Sequence, residues 1–230
     1  DDIDMVIVRE NTEDLYTGQE FRVGDSAVAL RIISESASKR IAKYAFETAK
    51  QRNSKKKVTC VHKSNVMRVT DGLFAKACTD VSKEYPDIAF EEMYVDACAM
   101  NLIRQPQEFD VVVTTNLFGD ILSDESSQVV GGLGMAPAAN IGDNFALFEP
   151  VHGAAFDIAG QNIANPSSFL LSIKMMCDWL GAKNNDSKCF EVGQKLESTI
   201  FDLVKSGVKT KDIGGDMSTP EFTKHITDNL

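Results

Sequence analysis

Short runs of β-branched residues alternate along this chain with longer segments of helical periodicity, and the alternation predicts an α/β protein. The predicted strands cover residues 5–8, 28–33, 58–61, 88–95, 110–115 and 145–148. The predicted helices cover residues 71–81, 97–103 and 167–180, and others begin after Ser34 or Ser36, near Gly119 and after the polar turn at 184–187.

Glycines interrupt this pattern in the middle of the chain. Gly131, Gly132 and Gly134 follow the helix near Gly119, and Pro137 comes soon after them. We therefore expect a domain boundary between residues 130 and 142.

Composition excludes several classes of protein. Of the 230 residues, 43% are hydrophobic and 25% are charged, which is enough apolar material for a buried core. The net charge of −10 repels phosphate backbones and anionic lipids, so nucleic acid and membranes are not expected partners. The best apolar run, residues 169–180, contains Lys174 and Asp178 and is shorter than the roughly 20 residues that span a bilayer.

The five cysteines are an odd number, and none forms the close pair that is typical of a zinc site. This pattern favours buried thiols in a reducing compartment.

Three aspartates are candidate metal ligands. Asp120 and Asp124 are four residues apart at the start of a predicted helix, so both carboxylates lie on one face within reach of a single cation. Hard oxygen ligands favour magnesium or manganese. The alternative is that these aspartates only complement the helix dipole. Asp96 ends an apolar strand, where α/β proteins place ligands, although by itself such an aspartate is more often a cap than a ligand.

Other candidates for chemistry follow two predicted strands. Lys63 ends the strand that begins at Val58, where it could act as a base or simply be a surface lysine. Arg9 offers a bidentate fork for a substrate carboxylate, and Tyr16 offers a phenol that could donate a proton. Either could instead serve as a salt-bridge partner or a half-buried core residue.

The loop at residues 152–160 is bounded by Gly153 and Gly160 and carries Asp157. It lacks the G-x-G-x-x-G pattern of a Rossmann dinucleotide site. Its aspartate could hold a nucleotide ribose, but a plain surface loop explains the same residues.

Taken together, five stretches of the chain resemble the β-decarboxylating dehydrogenases, which include isocitrate, 3-isopropylmalate and homoisocitrate dehydrogenases. The motifs are RENTEDLYTG at 9–18, VHKSNVMRVTDGLF at 61–74, YVDACAM at 94–100, NLFGDILSDE at 116–125 and EPVHGAAFDIAGQNIANP at 149–166. The resemblance implies an isocitrate dehydrogenase-like mixed α/β fold with two domains flanking a cleft. Residues 1–130 would form the small domain with its dimer-forming segment, and residues 131–230 the carboxy-terminal part of the large, cofactor-binding domain.

The resemblance also implies roles for the candidates in an active site shared by two subunits of a homodimer or hetero-oligomer. Arg9 would bind a carboxylate of a small 2-hydroxy tricarboxylic acid, and Tyr16 would protonate the enol. Lys63 would be the base, contributed by the neighbouring subunit. Asp120 and Asp124, with Asp96 of the partner subunit, would hold Mg²⁺ or Mn²⁺.

By the same resemblance, the cofactor is NAD. Asp157 and Ile158 form the NAD-type pair, because a carboxylate there accepts hydrogen bonds from free ribose hydroxyls and repels the 2′-phosphate of NADP. The other residues implied in cofactor binding are Asn65, Glu149, His152, Gly153 and Asn165.

Asn11, Thr12 and Glu13 resemble the isocitrate and homoisocitrate branches, so we expect oxidative decarboxylation of isocitrate to 2-oxoglutarate in the tricarboxylic acid cycle. Such an enzyme would act in the mitochondrial matrix, or in the cytoplasm of a prokaryote. The alternatives are homoisocitrate or 3-isopropylmalate as substrate, or a non-catalytic regulatory subunit of NAD-dependent isocitrate dehydrogenase. The presence of Asp120, Asp124, His152 and Gly153 favours a catalytic chain.

The chain departs from the family pattern in three places. Ala154 and Phe156 replace a small hydroxyl residue and a proline of the cofactor loop, and Asp14 stands where many NAD-type members have glycine. The family also has a long amino-terminal segment before Arg9 that is missing here, so we expect this chain to be a fragment.

Overall fold

The computed structural model describes residues 3–230, and its contacts divide the chain into two compact units. The first unit ends at Val129 and the second runs Val130–Leu230. The predicted α/β class is confirmed by a parallel sheet with helices in the first unit. The domain roles assigned above stay predictions.

The first unit is built on four parallel strands in the order β1-β6-β4-β5. In chain order the strands of this unit are β1 (Val6–Arg9), β2 (Glu20–Val23), β3 (Ser26–Ala29), β4 (Lys57–His62), β5 (Ala89–Tyr94) and β6 (Val111–Thr114). Its helices are α1 (Glu35–Arg52), α2 (Thr70–Ser82), α3 (Val95–Arg104) and α4 (Asn116–Val129).

Two apolar cores cover the two faces of this sheet. Val111 and Val113 of β6 pack into one core with residues of α1 and α2, while Val112 packs into the other with Leu102 of α3 and Leu122 of α4. All four residues of β6 are buried. A parallel sheet covered on both sides requires such a continuously apolar central strand, which explains why β6 could be predicted from sequence.

Helix α1 begins where the sequence predicts. Ser34, rather than Ser36, is the N-cap of α1, because its hydroxyl accepts a hydrogen bond from the amide of Ala37 at 3.2 Å. The side chains of Ala42, Ala45, Phe46 and Ala49 then recur on one face and are fully buried.

The strand predicted at residues 28–33 is wrong in its position. The structure instead has an antiparallel hairpin of β2 and β3, which turns at Gly24 (φ +62°) and ends at Ala29. Seven of its eight strand residues are exposed, so the hairpin lacks the buried face that produces a clear sequence pattern.

The second unit packs three helices with a two-stranded antiparallel sheet. Its strands are β7 (Pro137–Ile141) and β8 (Ala146–Pro150), and its helices are α5 (Ser167–Asn184), α6 (Ser187–Lys205) and α7 (Thr219–Asn229). The core joins Met135, which precedes β7, to side chains of α5, α6 and α7, namely Leu171, Leu196, Ile200, Phe222 and Ile226. Strand β7 lies inside the stretch that sequence assigned to a domain boundary.

Across residues 3–230, none of the helices combines the length and the apolar character needed to cross a membrane.

Candidate active site

The carboxyl edge of the parallel sheet gathers the candidates of the first unit. Arg9, Thr114, His62 and Tyr94 are the last residues of four neighbouring strands. Because parallel strands all end at the same edge, the loops that carry the remaining candidates also begin there.

Arg9 and Asp120 form the centre of a first cluster. Arg9 Nη1 lies 2.5 Å from Asp120 Oδ1, and Arg9 Nε donates to Asn116 Oδ1 at 2.9 Å. The guanidinium also lies over the Tyr16 ring, 5.0 Å from its centroid. The arginine side chain keeps 26% of its surface exposed, so it can still receive a substrate carboxylate.

The same cluster sets the protonation of Tyr16. A hydrogen bond to Asp120, followed by desolvation, raises the pKa of the Tyr16 phenol. The pKa of Asp120 is lowered mainly by that hydrogen bond and further by the charge of Arg9. At neutral pH the pair is therefore a protonated phenol beside a carboxylate, which suits Tyr16 to donate a proton.

Gly119 makes room for the Arg9 side chain. A Cβ atom at position 119 would lie 2.5 Å from Arg9 Cγ and 2.7 Å from Arg9 Cβ, closer than carbon atoms can approach. This glycine was not singled out by sequence, although it lies between Asn116 and Asp120 in one of the motifs.

Asp124 follows Asp120 by one helical turn and is exposed. Two carboxylates on one helix face offer the hard oxygen donors that Mg²⁺ and Mn²⁺ prefer. Among residues 3–230, no group of three or more histidine, cysteine, aspartate or glutamate side chains is arranged to hold a metal ion. That Asp120 and Asp124 bind a metal ion stays a prediction.

Lys63 and Asp96 form a second cluster at the same edge. The Lys63 ammonium binds Asp96 and lies 5.5 Å from the centroid of the Tyr94 ring. The hydrogen bond from Lys63 lowers the pKa of Asp96. Among residues 3–230, no hydrogen bond or ion pair joins Lys63 to Arg9, Tyr16 or Asp120. The predicted site residues of the first unit therefore lie in two groups, and Asn65 is an exposed neighbour of the second.

Two buried side chains fix the backbone of Lys63 and Ser64. Asp71 Oδ2 accepts the Lys63 amide at 2.6 Å, and His62 Nδ1 accepts the Ser64 amide at 3.2 Å. His62 Nε2 lies 3.2 Å from Glu92, so the ring carries its hydrogen on that nitrogen. These contacts hold the turn that presents Lys63.

An arginine that the sequence does not identify, with 11% of its side chain exposed, lies between the two clusters. Arg31 Nε lies 2.7 Å from Asp14 Oδ1, and its Nη1 lies 2.7 Å from Asp71 Oδ1. Its Nη2 donates to Thr115 Oγ1 at 2.7 Å. The only sequence signal was a charged residue inside the apolar stretch 28–33.

Asp14 has the left-handed backbone conformation (φ +75°) that glycine adopts most easily. The conformation explains why glycine can stand here in similar sequences. In this chain the aspartate carboxylate compensates for the strain, because it accepts the amides of Leu15 at 2.9 Å and Leu117 at 3.1 Å as well as binding Arg31.

The predicted cofactor residues of the second unit lie on β8 and the loop after it. His152, Gly153 and Asp157 are exposed, and Ile158 is half-buried in the short helix Phe156–Ile158. Within residues 3–230 no side-chain hydrogen bond uses the Asp157 carboxylate, whereas the backbone carbonyl of Asp157 accepts a hydrogen bond from Gln161. That this exposed carboxylate binds ribose hydroxyls stays a prediction.

Two of the predicted cofactor residues are already engaged within the unit. Glu149 Oε1 accepts a hydrogen bond from Asn140 at 2.8 Å. Asn165 accepts the Ser167 amide at 2.9 Å at the start of α5 and donates to Asp212 at 3.0 Å. Their side chains therefore hold the ends of the loop in this structure.

The sequence profile described as isocitrate/isopropylmalate dehydrogenase matches residues 1–229. The chain belongs to this family. The 3-isopropylmalate dehydrogenase of Sulfurisphaera tokodaii is 54% identical over 230 residues, which cover 99% of this chain and 67% of that protein. The homoisocitrate dehydrogenase of Methanocaldococcus jannaschii is 50% identical over 224 residues, which cover 97% of this chain and 62% of that protein.

Comparison with solved structures confirms that this chain has the expected isocitrate dehydrogenase-like fold. The crystal structure of isocitrate dehydrogenase from Methylococcus capsulatus matches with a TM-score of 0.91 at 40% identity, covering 98% of this chain and 66% of that one. The chain spans about two thirds of the length of the relatives that it matches.

The expectation that isocitrate is the substrate is wrong. Relatives from Sulfurisphaera tokodaii, Archaeoglobus fulgidus and Saccharolobus solfataricus, at 54%, 50% and 53% identity, are named 3-isopropylmalate dehydrogenase. The residues used for that expectation have internal contacts instead. Arg40 donates to Thr12 Oγ1 at 2.9 Å, and Glu13 Oε1 accepts the Ser34 amide at 2.7 Å. The side chains of Thr12 and Glu13 thus join the loop after β1 to helix α1. Their residue types are explained by these structural contacts and do not indicate the substrate.

The close packing of the Arg9 side chain against Gly119 gives a prediction for the stability of the fold. Gly119→Ala should lower the free energy of unfolding by about 1–3 kcal/mol, because the new methyl group displaces Arg9. Gly72→Ala in α2 is the matched control, since a Cβ there meets no atom within 4 Å and alanine favours a helix by about 0.5–1 kcal/mol. Urea unfolding of both variants measures the difference. Equal stability of the two variants would show that Gly119 is not needed for the position of Arg9.

Proposed function

We propose that this chain is part of an NAD-dependent dehydrogenase that oxidises and decarboxylates 3-isopropylmalate. The observation that carries the proposal is the cluster of Arg9, Tyr16 and Asp120 at the carboxyl edge of the sheet. It combines a carboxylate-binding cation, a protonated phenol and a metal-type carboxylate within contact distance. The names of the relatives at 50–54% identity support the choice of substrate.

Asp120 and Asp124 fit a divalent cation in their donor chemistry, with Asp96 of the partner subunit as the third carboxylate. When bound, Mg²⁺ or Mn²⁺ supplies positive charge at the substrate oxygen. Arg9 would orient the substrate by binding one of its carboxylates. The ion pair between Arg9 and Asp120 fixes the position of the guanidinium relative to the Asp120 carboxylate. Binding and orientation are thus carried out by residues that already contact one another.

Lys63 and Tyr16 would move the two protons. Lys63 of the partner subunit would take the proton of the 2-hydroxyl group as C2 becomes a ketone. Asp157 and the loop after β8 would hold NAD⁺, which would supply the acceptor for the hydride from C2. The carboxylate β to that ketone leaves as CO₂, and its bonding electrons form the enolate. Tyr16 then protonates the enolate carbon, a role that its raised pKa suits.

Two copies of the chain would be needed for this chemistry. Within the part of one chain that the structure describes, Lys63 and Asp96 contact each other and not the group around Asp120. A dimer in which each copy contributes one group to each site would bring the base, the acid and three carboxylates together.

Homoisocitrate is the second candidate substrate. The homoisocitrate dehydrogenase of Methanocaldococcus jannaschii is 50% identical to this chain over 224 residues. The two substrates differ in the substituent at C3, which is an apolar isopropyl group in one and a two-carbon chain ending in an additional carboxylate in the other.

Steady-state assays of the full-length protein with NAD⁺ and Mg²⁺ test the proposed substrate. We expect kcat/KM for 3-isopropylmalate to exceed that for homoisocitrate at least about tenfold, because a site shaped for an apolar group disfavours a charged one. NADH formation measures both reactions, and omission of the metal with added EDTA should stop them. If kcat/KM is higher for homoisocitrate, homoisocitrate is the substrate instead. If the protein turns over neither compound, the proposed function is wrong.

The exposed carboxylate of Asp157 gives a prediction for cofactor choice. NAD⁺ should be strongly preferred over NADP⁺, and Asp157→Lys should narrow or reverse that preference because a cation attracts the 2′-phosphate. Asp143→Lys, an equal charge change at another exposed site of the second unit, is the control and should leave the preference unchanged. Equal kcat/KM for both cofactors in the parent protein would contradict the role of Asp157.

A further inference from the structure

We infer that Arg31 is a positioning residue that orients the two proton-transfer loops, those of Tyr16 and Lys63, through one buried guanidinium. The inference rests on the proposed function for the roles of Tyr16 and Lys63. Arg31 itself contacts neither side chain; it acts through Asp14 and Asp71, each of which binds the backbone of a functional loop.

The first branch of the network leads to Tyr16. Asp14 is two residues before Tyr16 and opens the short helix Asp14–Thr17. Arg31 binds both oxygens of Asp14, with Nε at 2.7 Å and Nη2 at 3.2 Å. Asp14 in turn accepts the amides of Leu15 and Leu117, which ties the Tyr16 loop to the first turn of α4. The first turn of α4 also leads into Gly119 and Asp120.

The second branch leads to Lys63. Asp71 is buried, and its Oδ1 lies 2.7 Å from Arg31 Nη1 while its Oδ2 accepts the Lys63 amide at 2.6 Å. Burial raises the pKa of Asp71, and the Lys63 amide and the Arg31 charge oppose that rise. Without Arg31 the carboxyl would more readily take up a proton and lose strength as an acceptor for the Lys63 amide.

Geometry makes arginine the residue that can serve both branches. Its planar fork reaches Asp14 through two nitrogens and Asp71 through the third, and Nη2 also donates to Thr115. A lysine carries the charge at a single point and cannot span both carboxylates with the same geometry. The guanidinium also lies over the Phe118 ring, 4.7 Å from its centroid, so its plane is fixed.

The first unit offers a matched control at the opposite edge of the sheet. Arg52 Nε donates to the fully buried carboxylate of Asp110 at 2.9 Å, and Asp110 Oδ2 accepts the Lys57 amide at 3.3 Å. This arginine repeats the arrangement of Arg31, Asp71 and Lys63, but at the amino ends of β4 and β6. Loss of either arginine leaves a buried carboxylate without its cation, so both substitutions destabilise the fold.

The test compares Arg31→Met, Arg31→Lys and Arg52→Met in the full-length protein. The assays are steady-state kinetics with 3-isopropylmalate and NAD⁺, and hydrogen–deuterium exchange by mass spectrometry. For Arg31→Met we expect kcat to fall about 10²-fold with KM changed less than about fivefold, since small misplacements of reacting groups cost this much. Arg31→Lys should recover part of kcat.

Exchange of peptides that contain the amides of Leu15, Lys63 and Leu117 should accelerate in Arg31→Met. In Arg52→Met the acceleration should occur at Lys57 instead, with kcat within about threefold of the parent protein. If Arg31→Met does not fold, Asp14→Asn replaces it for the Tyr16 branch, because asparagine tolerates the left-handed conformation and removes the charge together with one of the two acceptor oxygens.

Equal kcat losses in Arg31→Met and Arg52→Met, or unchanged exchange at Lys63 in Arg31→Met, would overturn the inference. If the parent protein turns over neither candidate substrate, the proposed function fails, but the exchange experiment still tests whether Arg31 holds both loops.

Discussion

The architecture of the candidate site depends on the buried ion network of Arg31, Asp14 and Asp71. Both carboxylates are completely removed from solvent, and such groups are costly unless a cation and hydrogen-bond donors compensate for them. Arg31 and several backbone amides supply that compensation. The network therefore has few alternative arrangements, and the loops attached to it share its rigidity.

The positions of the candidate residues follow from the parallel sheet, and much of it could be predicted from the sequence. Strand β6 is a continuous apolar run because both of its faces are covered, and the periodicity of α1 marks its buried face. The hairpin of β2 and β3 could not be located, since nearly all of its residues are exposed. Arg31 was missed because its partners are 17 and 40 residues away in sequence, and only the fold brings them together.

The substrate could not be predicted from the motif after β1. Thr12 and Glu13 are similar to the isocitrate branch, but the structure shows their side chains bound to Arg40 and to the start of α1. Residues with internal structural contacts can be shared among enzymes with different substrates. Arg9, Tyr16 and Asp120, by contrast, do contact one another, because strand ends and helix starts converge at the carboxyl edge.

The proposed mechanism requires that Lys63 and Tyr16 belong to two groups that only a second copy of the chain combines into one site. Subunit mixing tests it most directly, with Tyr16→Phe and Lys63→Met full-length proteins that are each assayed alone and after dissociation and reassociation together. Each variant alone should lose about 10²- to 10⁴-fold in turnover. Random reassociation yields mixed dimers with one intact site, so the mixture should recover about a quarter of the parent activity. A mixture that stays as inactive as the separate variants, although mixed dimers form, would contradict the claim.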